Sequence, residues 1–376
     1  MKILLFISSL SVGGTQRQIF ELAKGLKLRN WEVVVMHYYS GGEFISILNN
    51  SGIRTICLEK KSRWDVLGFL FRMCQQVRKE DPDIFYSFLT GANVVATFIS
   101  FFWGKTKLIW GVRSSDLDYT QMHFLEWISL RLSSLFSRVP DRIISNSIAG
   151  KEVYQNLGFY EKNFCVVHNG IDTDKFSPKL ENRNKIRAEF KTSSSQKLVG
   201  MVARIDSIKD HECFVRAARE VLTKRSDIKF VCIGTGDESR AKKLLKLSQD
   251  LSLQDTLIWA GLRTDIVDVY SALDLHVLIP VKGEGFPNSV AEAMACEVPC
   301  ITGGIGAMQE IVAEKCFFLA NKDYQSLAER ILGLLDYALD QSVKKRVREH
   351  IVKNFALESM ITKTESILIE VLNSND

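Results

Sequence analysis

The sequence predicts an α/β protein of two Rossmann-like domains facing each other across a cleft, and three observations lead there. Short aliphatic runs alternate with amphipathic stretches along the 376 residues, the pattern of parallel strands joined by crossover helices. The runs form two series, separated by a polar, breaker-rich segment near 170–195. Glycine turns follow a strand in each series, at Gly13-Gly14 and at Gly234-Thr235-Gly236. About a dozen strands would overfill one sheet, whereas two domains suit the length and the 46% hydrophobic content.

In chain order, the first series of strands is expected at 2–7, 32–37, 54–58, 84–87, 108–112, 142–146 and 164–167. The second is expected at 198–203, 229–233, 257–259, 275–279 and 299–302. Helical periodicity is clearest at 17–28, 211–224 and 240–249. The N-terminal run MKILLFISSL reads as a buried first strand entering a glycine turn rather than as a signal peptide, because Gly13-Gly14 and a polar stretch follow it at once. Residues 84–103 carry no charge and are long enough to cross a bilayer. Pro82, Gly91, Asn93 and several Ser/Thr residues suit a strand, a turn and a buried helix instead.

Composition excludes several classes. The eight cysteines are scattered with no CxxC pair, so a disulfide framework or structural zinc site is not expected, and a reducing, cytoplasmic setting is. The net charge of +5 is uneven: residues 1–165 hold 20 Lys/Arg and 14 Asp/Glu. That excess suits an anionic surface or substrate and is too dispersed for nucleic acid.

Three clusters carry candidate chemistry. The glycine turns, with Gly13, Gly14 and Gly236, stand where helix N-termini offer free N–H groups to phosphate. Arg204 and Lys209 follow the strand at 198–203 and deliver two cations to one crevice edge, suited to a diphosphate. The third cluster is Glu284-Gly285-Phe286-Pro287-Asn288-Ser289, with Glu292 beyond it. A loop here opens a helix near 288, and two carboxylates eight positions apart can reach different hydroxyls of one elongated ligand.

With these residues in view, the chain resembles the family 4 retaining glycosyltransferases of the GT-B fold along nearly its whole length. Glu284 and Glu292 resemble the paired-glutamate motif, and Arg204 and Lys209 the basic pair holding the donor diphosphate. His168-Asn169-Gly170-Ile171-Asp172 with Phe176 resembles the segment joining the domains, and 355–360 the segment that crosses back. The resemblance implies an acceptor domain at 1–170, a donor domain at 171–352 and a returning helix at 353–376. It implies transfer of a sugar from a nucleoside diphosphate sugar, a UDP-sugar, to a glycan or polyprenyl-linked acceptor in cell-surface polysaccharide assembly. It also implies that Glu292 binds ribose, that Glu284 binds the donor sugar and that Leu262 borders the base, with neither cofactor nor metal. Asp116-Leu117-Asp118 copies a metal-binding triplet of another glycosyltransferase fold and is read as chance. A non-catalytic sugar-nucleotide subunit is the alternative.

Two departures stand out. Arg113 lies where many members carry a histidine, so Arg113 and Ser114 are read as acceptor contacts, with Arg113 a candidate catalytic group. Gly304 stands where many carry an aspartate. Finally, cations adjoin large apolar residues at 60–72 and 122–138, which points to a peripheral site on an anionic inner-leaflet surface.

Overall fold

The computed structural model describes residues 1–374 except 12, 63, 114–123, 283, 313, 315–316 and 320, and omits the side chains of 125, 126 and 338. The chain divides into two compact units, 1–170 with 357–376, and 171–356. The return to the first unit therefore falls after residue 356 rather than 352. Its physical reason is that the last helix of the second unit runs through Phe355, which is buried in that unit's core.

Among the described residues the first unit holds seven strands: β1 (Lys2–Ile7), β2 (Glu32–His37), β3 (Arg54–Cys57), β4 (Ile84–Phe88), β5 (Lys107–Val112), β6 (Arg142–Ser145) and β7 (Phe164–Val166). They pair in parallel in the order β3-β2-β1-β4-β5-β6-β7. Its helices are α1 (Gly14–Leu28), α2 (Glu43–Asn50), α3 (Val66–Glu80), α4 (Thr90–Ser100), α5 (Phe124–Leu135) and α6 (Ile148–Asn156). Side chains alternate along each strand, so β1 sends Ile3, Leu5 and Ile7 to one core and Leu4 and Phe6 to the other. Helices α1 and α2 cover the first core, whereas α3, α4, α5 and α6 supply Phe69, Ala96, Leu130 and Tyr154 to the second. The uncharged run at 84–103 becomes β4 and α4, and no helix among the described residues is long and apolar enough to cross a membrane.

The second unit holds β8 (Lys197–Val202), β9 (Ile228–Ile233), β10 (Leu257–Gly261), β11 (Leu275–Leu278) and β12 (Cys300–Thr302), parallel in the order β10-β9-β8-β11-β12. Its helices are α7 (Leu180–Glu189), α8 (His211–Leu222), α9 (Glu238–Asp250), α10 (Ile266–Ala272), α11 (Asn288–Ala295), α12 (Met308–Ile311), α13 (Tyr324–Ala338) and α14 (Gln341–Phe355). One large apolar core fills it. Buried Asp274 accepts hydrogen bonds from Arg183, Arg187 and the Leu198 N–H, which fixes α7 against the start of β8. Helix α15 (Leu357–Asn373) returns to the first unit, where Met360, Ile361, Leu368 and Val371 enter the core beside α1.

Both sheets reverse their strand order once, between β1 and β4 and between β8 and β11. Loops leaving such a pair in opposite directions open a crevice at the C-terminal strand ends, where ligands of open α/β sheets bind.

Candidate active site

The second unit collects the charged candidates at its reversal point. Arg204 and Lys209 lie on the loop after β8, and Glu284 lies on the loop after β11. The Lys209 ammonium is paired with the Glu284 carboxylate, both side chains being mostly buried. Residues 75 positions apart in sequence thus meet as one group. Arg204 is 69% exposed and donates through Nε to Asp206 at 3.0 Å. An exposed guanidinium of this kind suits a phosphate.

Helix α11 begins at Asn288 behind Pro287, with no side-chain cap. Gly285, Phe286 and Pro287 are buried, while Asn288 and Ser289 are half-buried. The N-terminus of a helix favours a nearby negative charge by about 0.3–1 kcal/mol at exposed sites. Phe286 packs edge-on to Phe355 at 5.5 Å between ring centroids, which anchors the loop carrying Glu284. Glu292 is 4% exposed and accepts a hydrogen bond from the Tyr270 hydroxyl at 3.1 Å. A carboxylate so enclosed is held in one orientation.

Tyr270 in turn packs edge-on against His276, whose Nε2 accepts from the Val202 N–H at 3.2 Å. Burial pushes the His276 imidazole down to about 3, so the ring is neutral and its Nε2 is an acceptor. His211, at the start of α8 and stacked near Trp259, is pushed down to about 4, again chiefly by burial.

The glycines after β9 have a packing reason. A Cβ on Gly234 would lie 2.1 Å from the Ala203 carbonyl oxygen, and one on Gly236 would lie 2.1 Å from that of Ile205. Ile205 donates to the Thr235 carbonyl and accepts from the Asp237 N–H. Gly236 is therefore where the Arg204 loop is laced to its neighbour, a support for the cations as well as a candidate contact. Leu262 follows Gly261, which has φ +64°, and is 66% exposed.

In the first unit, Gly13 caps α1 in extended backbone, and Gly14 is the first helical residue. Arg113 follows β5, donates to Asn169 Oδ1 at 2.6 Å and lies over the Phe88 ring at 5.3 Å. Arg113 thus meets the joining segment, and its Nε is buried. Gln18 pairs with both the N–H and the carbonyl of Gly170, at 3.0 Å each. Ser114, Asp116 and Asp118 lie outside the described residues.

Two family models match the chain in succession: "Glycosyltransferase Family 4" over residues 12–175 and "Glycosyl transferases group 1" over 196–337. The chain belongs to glycosyltransferase family 4. Among relatives of this glycosyltransferase is the N-acetyl-alpha-D-glucosaminyl L-malate synthase of Bacillus anthracis, 21% identical and aligned over 97% of this chain and 96% of its own. Another is the UDP-Gal:alpha-D-GlcNAc-diphosphoundecaprenol alpha-1,3-galactosyltransferase of Escherichia coli, 22% identical over 81% and 79%. The crystal structure of Anabaena Alr3699/HepE in complex with UDP and glucose superposes with a TM-score of 0.87 at 20% identity, covering 98% of this chain and 99% of that one. The two parallel-sheet units of this family 4 glycosyltransferase are those of the GT-B fold.

Of the residues that the sequence singles out, Lys209 and Glu284 meet directly and Arg204 lies on the same loop as Lys209, whereas Asp206, Tyr270 and Gln18, which contact these candidates or the joining segment, carry no signal that singled them out. Asp206 stands two residues beyond Arg204, a spacing at which a turn carboxylate can bond back. Tyr270 is 22 residues from Glu292 and gave no signal, because only tertiary packing of α10 on α11 brings them together.

Proposed function

We propose that this chain moves a sugar, with retention of configuration and without a metal, from a UDP-sugar to a hydroxyl of a lipid-linked or glycan acceptor in cell-surface polysaccharide assembly. The observation that carries the donor half is the meeting of Arg204, Lys209 and Glu284 at the reversal point of the second sheet. Arg204 and Lys209 stabilise the diphosphate as charge develops on its leaving oxygen, with the α11 N-terminus adding fixed dipoles. Glu284 orients the donor sugar, and Glu292, set by Tyr270, receives the ribose hydroxyls. The acceptor hydroxyl attacks from the face that the diphosphate leaves, and the departing phosphate oxygen takes its proton. Arg113 offers a guanidinium to an acceptor phosphate. The UDP assignment is supported by the names of the Escherichia coli relative and of the HepE complex. A donor-by-acceptor activity screen tests the whole reading. Turnover of a UDP-sugar onto a lipid-linked or glycan acceptor is expected. Tight GDP binding with none for UDP would reverse the donor, and binding without any turnover would favour a non-catalytic subunit.

The acceptor half rests on an outward face of the first unit. Trp64, Leu67 and Phe71 beside or on α3, Phe98, Phe101 and Phe102 at the end of α4, and Phe124 and Leu135 on α5 are all exposed. These helices cover the same side of the sheet. Across 60–80, 89–107 and 124–139 the sequence carries ten Lys/Arg against three Asp/Glu. Exposed aromatics among cations suit the interface of an anionic bilayer, so the reading places this face on the inner leaflet. Vesicles containing anionic lipid should sediment the protein, less so at high salt and after K60E/K61E or F101S/F102S. Equal behaviour of wild type and both variants would remove the membrane from the proposal.

A further inference from the structure

Asp206 poses a question of sign, because a carboxylate beside a diphosphate site repels the ligand that the site is built to hold. Its contacts answer that question. Oδ2 accepts from Arg204 Nε at 3.0 Å, with Arg204 Nη2 also at 3.0 Å. Oδ1 accepts from the backbone N–H groups of Ile208 at 2.8 Å and Lys209 at 3.1 Å. Burial raises the Asp206 carboxyl, but the Ile208 N–H and the Arg204 guanidinium outweigh it and hold the group below its ordinary value, as a carboxylate. One ionised side chain therefore engages the side chain of one cation and the backbone of the other.

The rest of the loop shows why this matters. Residues 203–205 are laddered to 233–237 by backbone hydrogen bonds, and the Ile208 carbonyl accepts from the Val281 N–H at 2.8 Å. The loop is thus fixed to neighbouring strand-end loops at 203–205 and at Ile208, and what is left for the chain to set is the turn between and just beyond these points. Asp206 closes that turn and aims Lys209 toward Glu284. At the same time it gives the mostly exposed Arg204 one preferred direction in place of many rotamers.

We infer that Asp206 is a positioning residue, which presets Arg204 and the Lys209 turn for the donor diphosphate; the inference rests on the donor reading above. Two physical effects of Asp206→Ala oppose each other. Relief of repulsion predicts tighter nucleotide binding, whereas loss of positioning predicts weaker binding.

The test uses the full chain with UDP as the calorimetric probe, GDP as a second probe, and thermal unfolding as a control. D206A is expected to weaken UDP binding about tenfold, the scale of one charge-assisted hydrogen bond. D206N keeps an acceptor for the turn amides and is expected to recover part of that loss. Adding D206A to R204A is expected to cost less than D206A alone, since part of the effect runs through Arg204. UDP binding in D206A that equals or exceeds wild type would overturn the inference, whatever happens to Tm. So would additive behaviour of the double variant together with no rescue by D206N. R204A measured alone separates the two levels. If R204A binds both UDP and GDP like wild type, the donor reading itself fails. If R204A is weakened and D206A is not, only the positioning role fails.

Discussion

In the second unit the charged groups at the strand ends are tied to partners: Arg204 to Asp206, Lys209 to Glu284 and Glu292 to Tyr270. In the first unit the corresponding edge holds Arg113 against an amide and a phenyl ring, while large apolar side chains face outward from α3, α4 and α5. The contrast separates two ways of binding. Fixed charges in a supported crevice recognise a small, highly charged group at little reorganisation cost. A broad face of aromatics and scattered cations recognises an extended surface and needs no single contact to be exact in angle. A nucleotide fits the first description and a lipid-borne acceptor the second.

The largest effect that would break this contrast concerns Arg204. Arg204→Ala is expected to lower kcat/KM by about 100-fold or more, the scale seen when one preorganised transition-state stabiliser is removed. Because the side chain is exposed, Tm should stay within about 2 °C of wild type. Near-normal kcat/KM would show that the second unit's charges are surface decoration.

Acid should separate the units next. His211 and His276 both sit in the second unit with values depressed by burial to about 4 and about 3. The unfolded chain binds protons at these two groups from about pH 6.5 downward, and the folded chain does not. The stability they contribute is therefore present above pH 6.5 and is lost as pH falls from there toward their folded values. In the first unit His37 is likewise lowered by burial, against His211 and His276 in the second, while Glu80 is held at about 2, its carboxylate paired with Arg54 and Lys2, and loses its contribution only in stronger acid. Between pH 7 and pH 5 two such histidines amount to about 4 kcal/mol at most. Hydrogen exchange read by unit should show the second unit opening first; opening of the first unit at pH 5 with the second intact would contradict the assignment.

A smaller loss is expected from Gly236→Ala, whose Cβ would overlap the Ile205 carbonyl oxygen. Displacing the Arg204 loop should cost about 1–3 kcal/mol by denaturant unfolding, confined to the second unit. Unchanged stability would mean that the lacing between the loops is loose. Smallest of all, Leu262→Ala should leave stability within about 0.5 kcal/mol, because the side chain is exposed. The donor KM should rise about two- to threefold, and an unaltered KM would remove Leu262 from the border of the base.

The fold was legible because each of the twelve strands among the described residues is a short apolar run bounded by turn residues, and the expected ranges overlap the observed ones in every case. The candidate donor residues were legible for a related reason: Arg204, Lys209 and Glu284 sit just past strands, where chemistry in such sheets concentrates. Local patterning says less about faces. Helix α4 is uncharged from Thr90 to Ser100 and its polar Asn93 and Thr97 are themselves buried, so polarity does not mark the side turned from the sheet, and only the packing of Ala92, Ala96 and Ile99 inward shows Phe98 to be outside. Likewise Tyr270 sits in the short α10 at a position that reads as plain core. Its hydroxyl becomes informative only when Glu292 is placed beside it.

The split make-up of the first unit has a consequence for its synthesis. Ile171 and Ala356 are bridged side by side, so the second unit is a closed excursion of the chain between two adjacent points. Everything that unit needs has been synthesised once residue 356 is made. The first unit begins to emerge earlier but lacks Met360, Ile361, Leu368 and Val371 until α15 follows, and the groove along α1 that they fill includes Gly25, against which Ile361 lies with no room for even a methyl group. Arg29 and Trp31 also wait, for Glu358 and Glu365. Of the two units, the one that is started first is therefore finished last, and its nascent sheet must be kept from unwanted company while residues 171–356 are made.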